Sequence, residues 1–134
     1  MNILEKFADV LYQDGDVCDH GIEEGDLDRL IKIARKIDAN KPIRAVKDWS
    51  IWDLDVPDSV RDQLSCQGLM ATVINANYVL YDSTGQFQIG SWVRTTALKA
   101  FHLNAIFESK NTLYILVGRG DRKKVDPNIA LAFF

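Results

Sequence analysis

The sequence predicts an α+β domain, with N-terminal helices packed on a curved antiparallel β-sheet or a partly open barrel. Three observations lead there. From Met70 to Val117 the sequence reads as a near-continuous antiparallel β segment, with Ile74, Ala76, Tyr78 and Leu80 in clear alternation. Before Met70 the apolar residues recur instead at helical spacing. The run from Thr112 to Val117 is apolar on both faces, the pattern of a strand covered on both sides.

The elements follow in order. Ile3, Leu4, Phe7, Val10 and Leu11 form one stripe, so residues 3–12 read as a short amphipathic helix that stops at Asp14-Gly15-Asp16. Leu27, Leu30, Ile31, Ala34 and Ile37 repeat the stripe over 26–38. Asp26 suits the cap and Asp28 the positive end of that helix, Lys32, Arg35 and Lys36 suit its negative end, and Asn40 and Pro42 close it. Residues 43–56 obey neither period: Trp49 and Trp52 fit a helical turn, while Ile51, Asp53 and Asp55 fit an irregular extended segment. Pro57 opens a third, short helix with Val60 and Leu64 facing inward, and Gly68 ends it.

Strands are expected at about 71–81, 86–101 (bent or bulged at Gly90), 105–109 and 112–118. Ile74, Ala76, Tyr78 and Leu80 alternate along the first, which runs into a hairpin turn at Asp82-Ser83-Thr84-Gly85 with Gly85 placed for a positive φ. Glu108 to Asn111 reads as a second hairpin turn, and the apolar tail 128–134 as packed. Residues 1–134 make one domain, 1–68 mainly a helical layer and 69–134 mainly sheet.

Composition bounds the function classes. Hydrophobic residues at 47% and charged residues at 26% are ordinary for a soluble globular chain. No apolar run is long enough for a membrane helix, and the N-terminus carries an acid early and lacks a signal pattern, so a cytoplasmic location is expected. Cys18 and Cys66 lie far apart and are expected as free thiols. Residues 1–68 hold 15 Asp/Glu against 9 Lys/Arg and residues 69–134 hold 4 against 7, so the protein has an acidic end and a basic end. The net charge of −3 argues against bulk coating of nucleic acid.

The motifs for chemistry fail one by one. Aligning Asp14 and Asp16 with the first ligands of a calcium loop puts Asp19 at the turn glycine and Gly25 at the bidentate Glu. Cys18 and His20 form one half of a zinc set, and no spacing brings in Cys66 and His102 as the second half. No Gly-x-Ser-x-Gly elbow or phosphate-cradling glycine loop is present, and the two histidines have no evident nucleophile. The expectation is a protein without enzymatic activity, metal or cofactor; a third reading, a small hydrolase or transferase, would need a pocket that holds His102 or His20 beside a carboxylate or thiol.

Two surfaces remain. Asp14, Asp16, Asp19, Glu23, Glu24, Asp26 and Asp28 place seven carboxylates within residues 14–28, a loop that could dock on a basic protein groove. Arg94, Lys99, Arg119, Arg122, Lys123 and Lys124, with Tyr81 or Trp92 for stacking, are the alternative, a nucleic-acid or phosphate patch centred on a basic turn at 119–124.

The run from Asn75 to Thr96, the run from Ile106 to Lys123 and the segment from Trp49 to Pro57 with Asp53-Leu-Asp-Val-Pro resemble an uncharacterised family of pseudomonads and their phages and mobile elements. The resemblance covers roughly residues 45–125 and carries no catalytic residues. One position departs from it: an acid is expected before Trp92, and Ser91 stands there. The resemblance implies a setting in which small acidic proteins bind and block a host defence complex, as anti-CRISPR proteins do. A host protein or nucleoprotein complex is the expected partner, with direct nucleic-acid binding second and no membrane.

Overall fold

The computed structural model describes residues 16–18 and 20–128. The helix expected at 3–12, Asp14, Asp19 and the apolar tail from Ile129 lie outside the described residues. Among the described residues no helix is long and apolar enough to cross a membrane.

In chain order come β1 (Asp16–Cys18), a 3₁₀ turn (Glu24–Asp26), α1 (Leu27–Ile37), β2 (Ile43–Leu54), α2 (Asp58–Cys66), β3 (Thr72–Asp82), β4 (Val93–Arg94), β5 (Leu98–His102), β6 (Ile106–Ser109), β7 (Leu113–Leu116) and β8 (Gly120–Val125). The result is an α+β fold on an open sheet. The sheet runs β1-β8-β2-β7-β6-β5, with β3 on the other edge of β2 and β4 beyond β3. It is mixed, because β7 and β8 both run parallel to β2 while the remaining pairs are antiparallel. Met70 N–H donates to the Leu98 carbonyl at 2.8 Å, a single bridge that brings β5 toward the start of β3 without closing a barrel.

β2 is the spine, and it stands where the sequence showed no clear period. One edge pairs with β3 from Arg44–Asp82 to Asp53–Thr72. The other edge is shared: Ile43–Val46 pair with β7, Ser50–Leu54 with β8. Between those halves the register to β3 shifts at Ala45/Val46 and Asp48 takes φ 51°, a conformation that Asp tolerates better than most residues. The shift switches the buried face. Ile43 and Ala45 pack with α1, whereas Val46, Trp49 and Ile51 pack on the opposite side. Apolar residues at 43, 45, 46, 49, 51 and 52 therefore fit neither a strand nor a helix period. The layer 1–68, expected to be mainly helical, contains the longest strand.

Trp49 fills the gap between the two half-partners. Its indole Nε1–H donates to the Val117 and Gly118 carbonyls, each at 3.2 Å, and its ring lies on Gly120, where any Cβ would collide with the ring and with the Trp49 carbonyl.

Two apolar clusters lie on opposite faces. On one, Leu30 and Ala34 of α1 cover Ile43, Ala45, Ile106, Leu113, Ile115 and Val117. On the other, Val46, Trp49, Ile51, Ile74, Ala76, Val79, Val93, Leu98, Phe107, Tyr114 and Leu116 are enclosed by the curl of the sheet. β7 contributes to both, as its two apolar faces predict; among the described residues the second cluster is built from strand residues, with Phe87 and Phe101 packed against it. Each fully buried Ile or Leu contributes on the order of 2 kcal/mol. α1 keeps its predicted charge arrangement, Asp28 in the first turn and Arg35 and Lys36 in the last. α2 buries no residue fully; Val60 and Leu64 are half-buried.

Two other expectations are corrected. Residues 86–101 form not one bent strand but β4 and β5: at Thr95 the side chain enters the ladder, Ile74 N–H donating to Oγ1 at 2.9 Å, and the chain leaves β3. Residues 119–124 form not a turn but, from Gly120 on, most of β8, whose charged composition concealed a strand pinned along β2.

Candidate functional site

The acidic segment is not one loop. The backbone of Asp16 lies in β1 opposite Arg122. Ile22 is bonded into the sheet through Leu116 and Gly118. Glu23 and Glu24 are exposed before and in the 3₁₀ turn, Asp26 sits at the N-cap of α1 with Arg29 3.7 Å away, and Asp28 is exposed in the first turn. Its described members thus span a strand, a turn and a helix start.

The basic residues are not brought together either. On β8, Arg122 and Lys124 alternate with Asp121 and Lys123 on opposite faces. Arg122 donates twice to Asp53, from Nε to Oδ2 at 2.6 Å and from Nη2 to Oδ1 at 2.9 Å. Burial opposes the charge on Asp53, but the Arg122 and Thr72 bonds outweigh it and hold the carboxyl below its ordinary range. Lys123 Nζ stands 4.0 Å from Asp121. Lys99 is on β5 at the far end of the sheet, 4.0 Å from Glu108. Arg119 and Lys124 are exposed.

Arg94 belongs to a different surface, and it is the best-built one on the molecule. Register sets it opposite Asn75 on β3, whose Oδ1 accepts from Nη2 at 2.9 Å. Its guanidinium lies 4.5 Å from the Trp52 ring and 5.9 Å from the Trp92 ring. Trp52 is buried and Trp92 is 57% exposed, so one cation is stacked between a core ring and a surface ring. On neighbouring positions Lys47 lies 4.4 Å from the Tyr78 ring and Arg44 4.5 Å from the Phe87 ring. Ile89, 71% exposed, stands on the same 83–92 loop.

That loop is held in place. The Asp82 carboxylate accepts from Thr84 N–H, Thr84 Oγ1 and Phe87 N–H at 2.9–3.0 Å, with Arg44 Nε 3.4 Å away. Burial works against its ionisation, yet these partners keep its carboxyl below the usual range. Gly85 takes φ 67° as the hairpin requires. Val79 N–H donates to the Ser91 carbonyl and Gly90 N–H to the Val79 carbonyl, so Ser91, where the resemblance led us to expect an acid, acts through its backbone. Sequence reasoning named Arg94 and Trp92 but grouped them with β8; Trp52, Lys47, Tyr78 and Ile89 were missed, since only the register of β2, β3 and β4 reveals them.

The second histidine, His102, meets a carboxylate: Nε2 lies 2.9 Å from Glu108 Oε1, and Lys41 Nζ donates to Oε2 and to the Ser109 carbonyl. Burial opposes the Glu108 charge, while the Lys41 and His102 bonds and the Lys99 charge hold the carboxyl below its usual value. The adjacent Ser109 hydroxyl is engaged with Thr112. Among the described residues no three His, Cys, Asp or Glu side chains converge as metal ligands would. Cys66 is an exposed free thiol on α2.

A family model described as a domain of unknown function (DUF6957) matches residues 20–132. The chain belongs to this family. DUF6957 thus covers β2–β8, both helices and the 83–94 surface, a longer span than the resemblance first read in the sequence. Neither a curated protein nor a solved structure matches the chain.

Proposed function

We propose that this DUF6957 domain is a non-enzymatic binding module that docks on a partner protein through Trp92, Ile89 and Arg94. The observation that carries this is the stack Trp52–Arg94–Trp92, which presents a large exposed ring on a guanidinium already fixed between ring and amide. Trp and Arg are the residue types that dominate binding energy at protein interfaces, and a pinned loop loses little freedom when it docks. The acidic residues Glu23, Glu24 and Asp28 are exposed elsewhere and add steering toward a basic partner. The narrower reading, an anti-CRISPR-like inhibitor from a phage or mobile element of pseudomonads, acting in the cytoplasm on a host nucleoprotein complex, is part of the same proposal and rests on the resemblance and the acidic surface.

A second reading keeps the same residues and changes the partner. Cations over three separate aromatic rings also suit a single-stranded nucleic acid, although a pI of about 5.3 disfavours it. Affinity capture from the source cell, with and without nuclease, separates the two. The proposal expects a partner retained after nuclease by the wild-type domain and lost with Trp92→Ala. Retention that vanishes with nuclease would transfer the surface to nucleic acid, and equal capture by Trp92→Ala would remove it from the account.

A further inference from the structure

A cleft of about 250 Å³ opens where the sheet fails to close, between the β5–β6 hairpin, the start of β3 and β8. Leu98 and Phe107 of the enclosed cluster form its floor, Phe101 and His20 a wall, and Asn104 and Arg122 the rim. We propose that this cleft binds one planar, neutral ring with a hydrogen-bonding edge, the chemistry of a nucleobase.

The walls call for a flat apolar body. Phe101 stands edge-on to Phe107 at 6.4 Å between centroids, and the His20 ring tilts against Phe101 at 4.9 Å, so two rings border a slot suited to stacking. Volume limits the occupant. Pockets for drug-sized ligands run from about 300 Å³ upward, and this one accepts little beyond a single ring system.

The rim decides against a charged ligand. Arg122 is committed through two bonds to Asp53, whose Oδ1 also accepts from Thr72; an anion would have to compete with that carboxylate and a cation with that guanidinium. Two polar groups remain. Among the described residues the His20 imidazole and the Asn104 side-chain amide make no hydrogen bond, and both border the cleft.

The backbone of Asn104 is fixed in place. Leu103 and Asn104 take φ 55° and 53° in the turn between β5 and β6. Ala105 N–H closes that turn on the His102 carbonyl at 3.0 Å, and Gly21 N–H donates to the Asn104 carbonyl at 2.8 Å. The exposed side-chain amide carried by this turn can give one hydrogen bond and accept another along a base edge.

A base can arrive as a free nucleoside or on a single strand. Both are tested by amide-resolved NMR titration of the full chain with adenosine, with uridine and with a short single-stranded oligonucleotide. Saturable shifts at Thr72, Phe101 and Asn104 are expected with at least one of the three, and the tighter of nucleoside and oligonucleotide identifies the source. Phe101→Ala is expected to weaken binding about tenfold. Asn104→Gly, which suits the positive φ and so preserves the turn, is expected to weaken it about fivefold. Trp92→Ala is expected to leave it unchanged, which keeps this site separate from the proposed protein-binding surface. Absence of saturable shifts with all three probes, or unchanged affinity in Asn104→Gly, would overturn the proposal.

Discussion

At the scale of single residues the fold depends on Trp49 and the glycine beneath it. The indole bonds the two carbonyls where β7 gives way to β8, and Gly120 leaves room for the ring. Overpacking a filled site costs about 1–3 kcal/mol, and here the obstacle includes backbone. Gly120→Ala is therefore expected to lower unfolding stability by about 2 kcal/mol or more in urea melts followed by circular dichroism. Gly25→Ala, with open space around its Cβ position, serves as the control and is expected to change little. Equal stability of the two variants would show that the Trp49 seat is not tightly filled. Asp82 is the other single residue with wide reach, since its carboxylate organises the whole 83–87 turn. Asp82→Ala leaves those donors without their acceptor, at about 1–3 kcal/mol for the buried ones, and is expected to loosen Trp92 along with the turn. Hydrogen exchange at the amides of Phe87–Arg94 checks this, with faster exchange expected in Asp82→Ala.

Elements differ in how much of them the sequence disclosed, for reasons that can be named. β3 was legible because it alternates regularly and ends in a turn with Gly85 at positive φ. α1 was legible because its stripe has one partner face. β2 was not, because a register shift moves its buried side halfway along, and the resulting pattern is the sum of two strands out of phase. β8 was hidden by charge: a strand along the spine of a sheet can carry Asp121, Arg122, Lys123 and Lys124 because its inner contacts are made by backbone and by Val125. The candidate site suffered the same fate. Arg94 and Trp92 are neighbours in sequence, but Trp52 lies forty residues earlier and joins them only through two strand registers. At this scale α2 makes a clear prediction. It buries no residue fully, so amides of Asp58–Cys66 are expected to exchange hydrogen faster than those of β2 or β7; protection equal to β7 would mean that a further contact covers the helix.

For the molecule as a whole, charge and pH are coupled through three half-enclosed carboxyls. Asp53, Asp82 and Glu108 all titrate below their ordinary values in the fold. Their contribution to stability is complete above the unfolded carboxyl range, at about pH 4–5, and is lost as pH falls through the lowered folded values. Urea midpoints are expected to be level from neutral pH to about pH 5 and to fall below about pH 4. Asp82→Asn should flatten that fall, and a midpoint that rises on acidification would contradict the assignment. The functional claim belongs to this scale too, because the domain presents dispersed surface charge and one pinned aromatic surface to any partner. Hydrogen exchange of the domain alone and with its captured partner tests it most directly. The account predicts new protection at Ile89–Arg94. Protection confined to Glu23–Asp28, with Ile89–Arg94 unchanged, would contradict it.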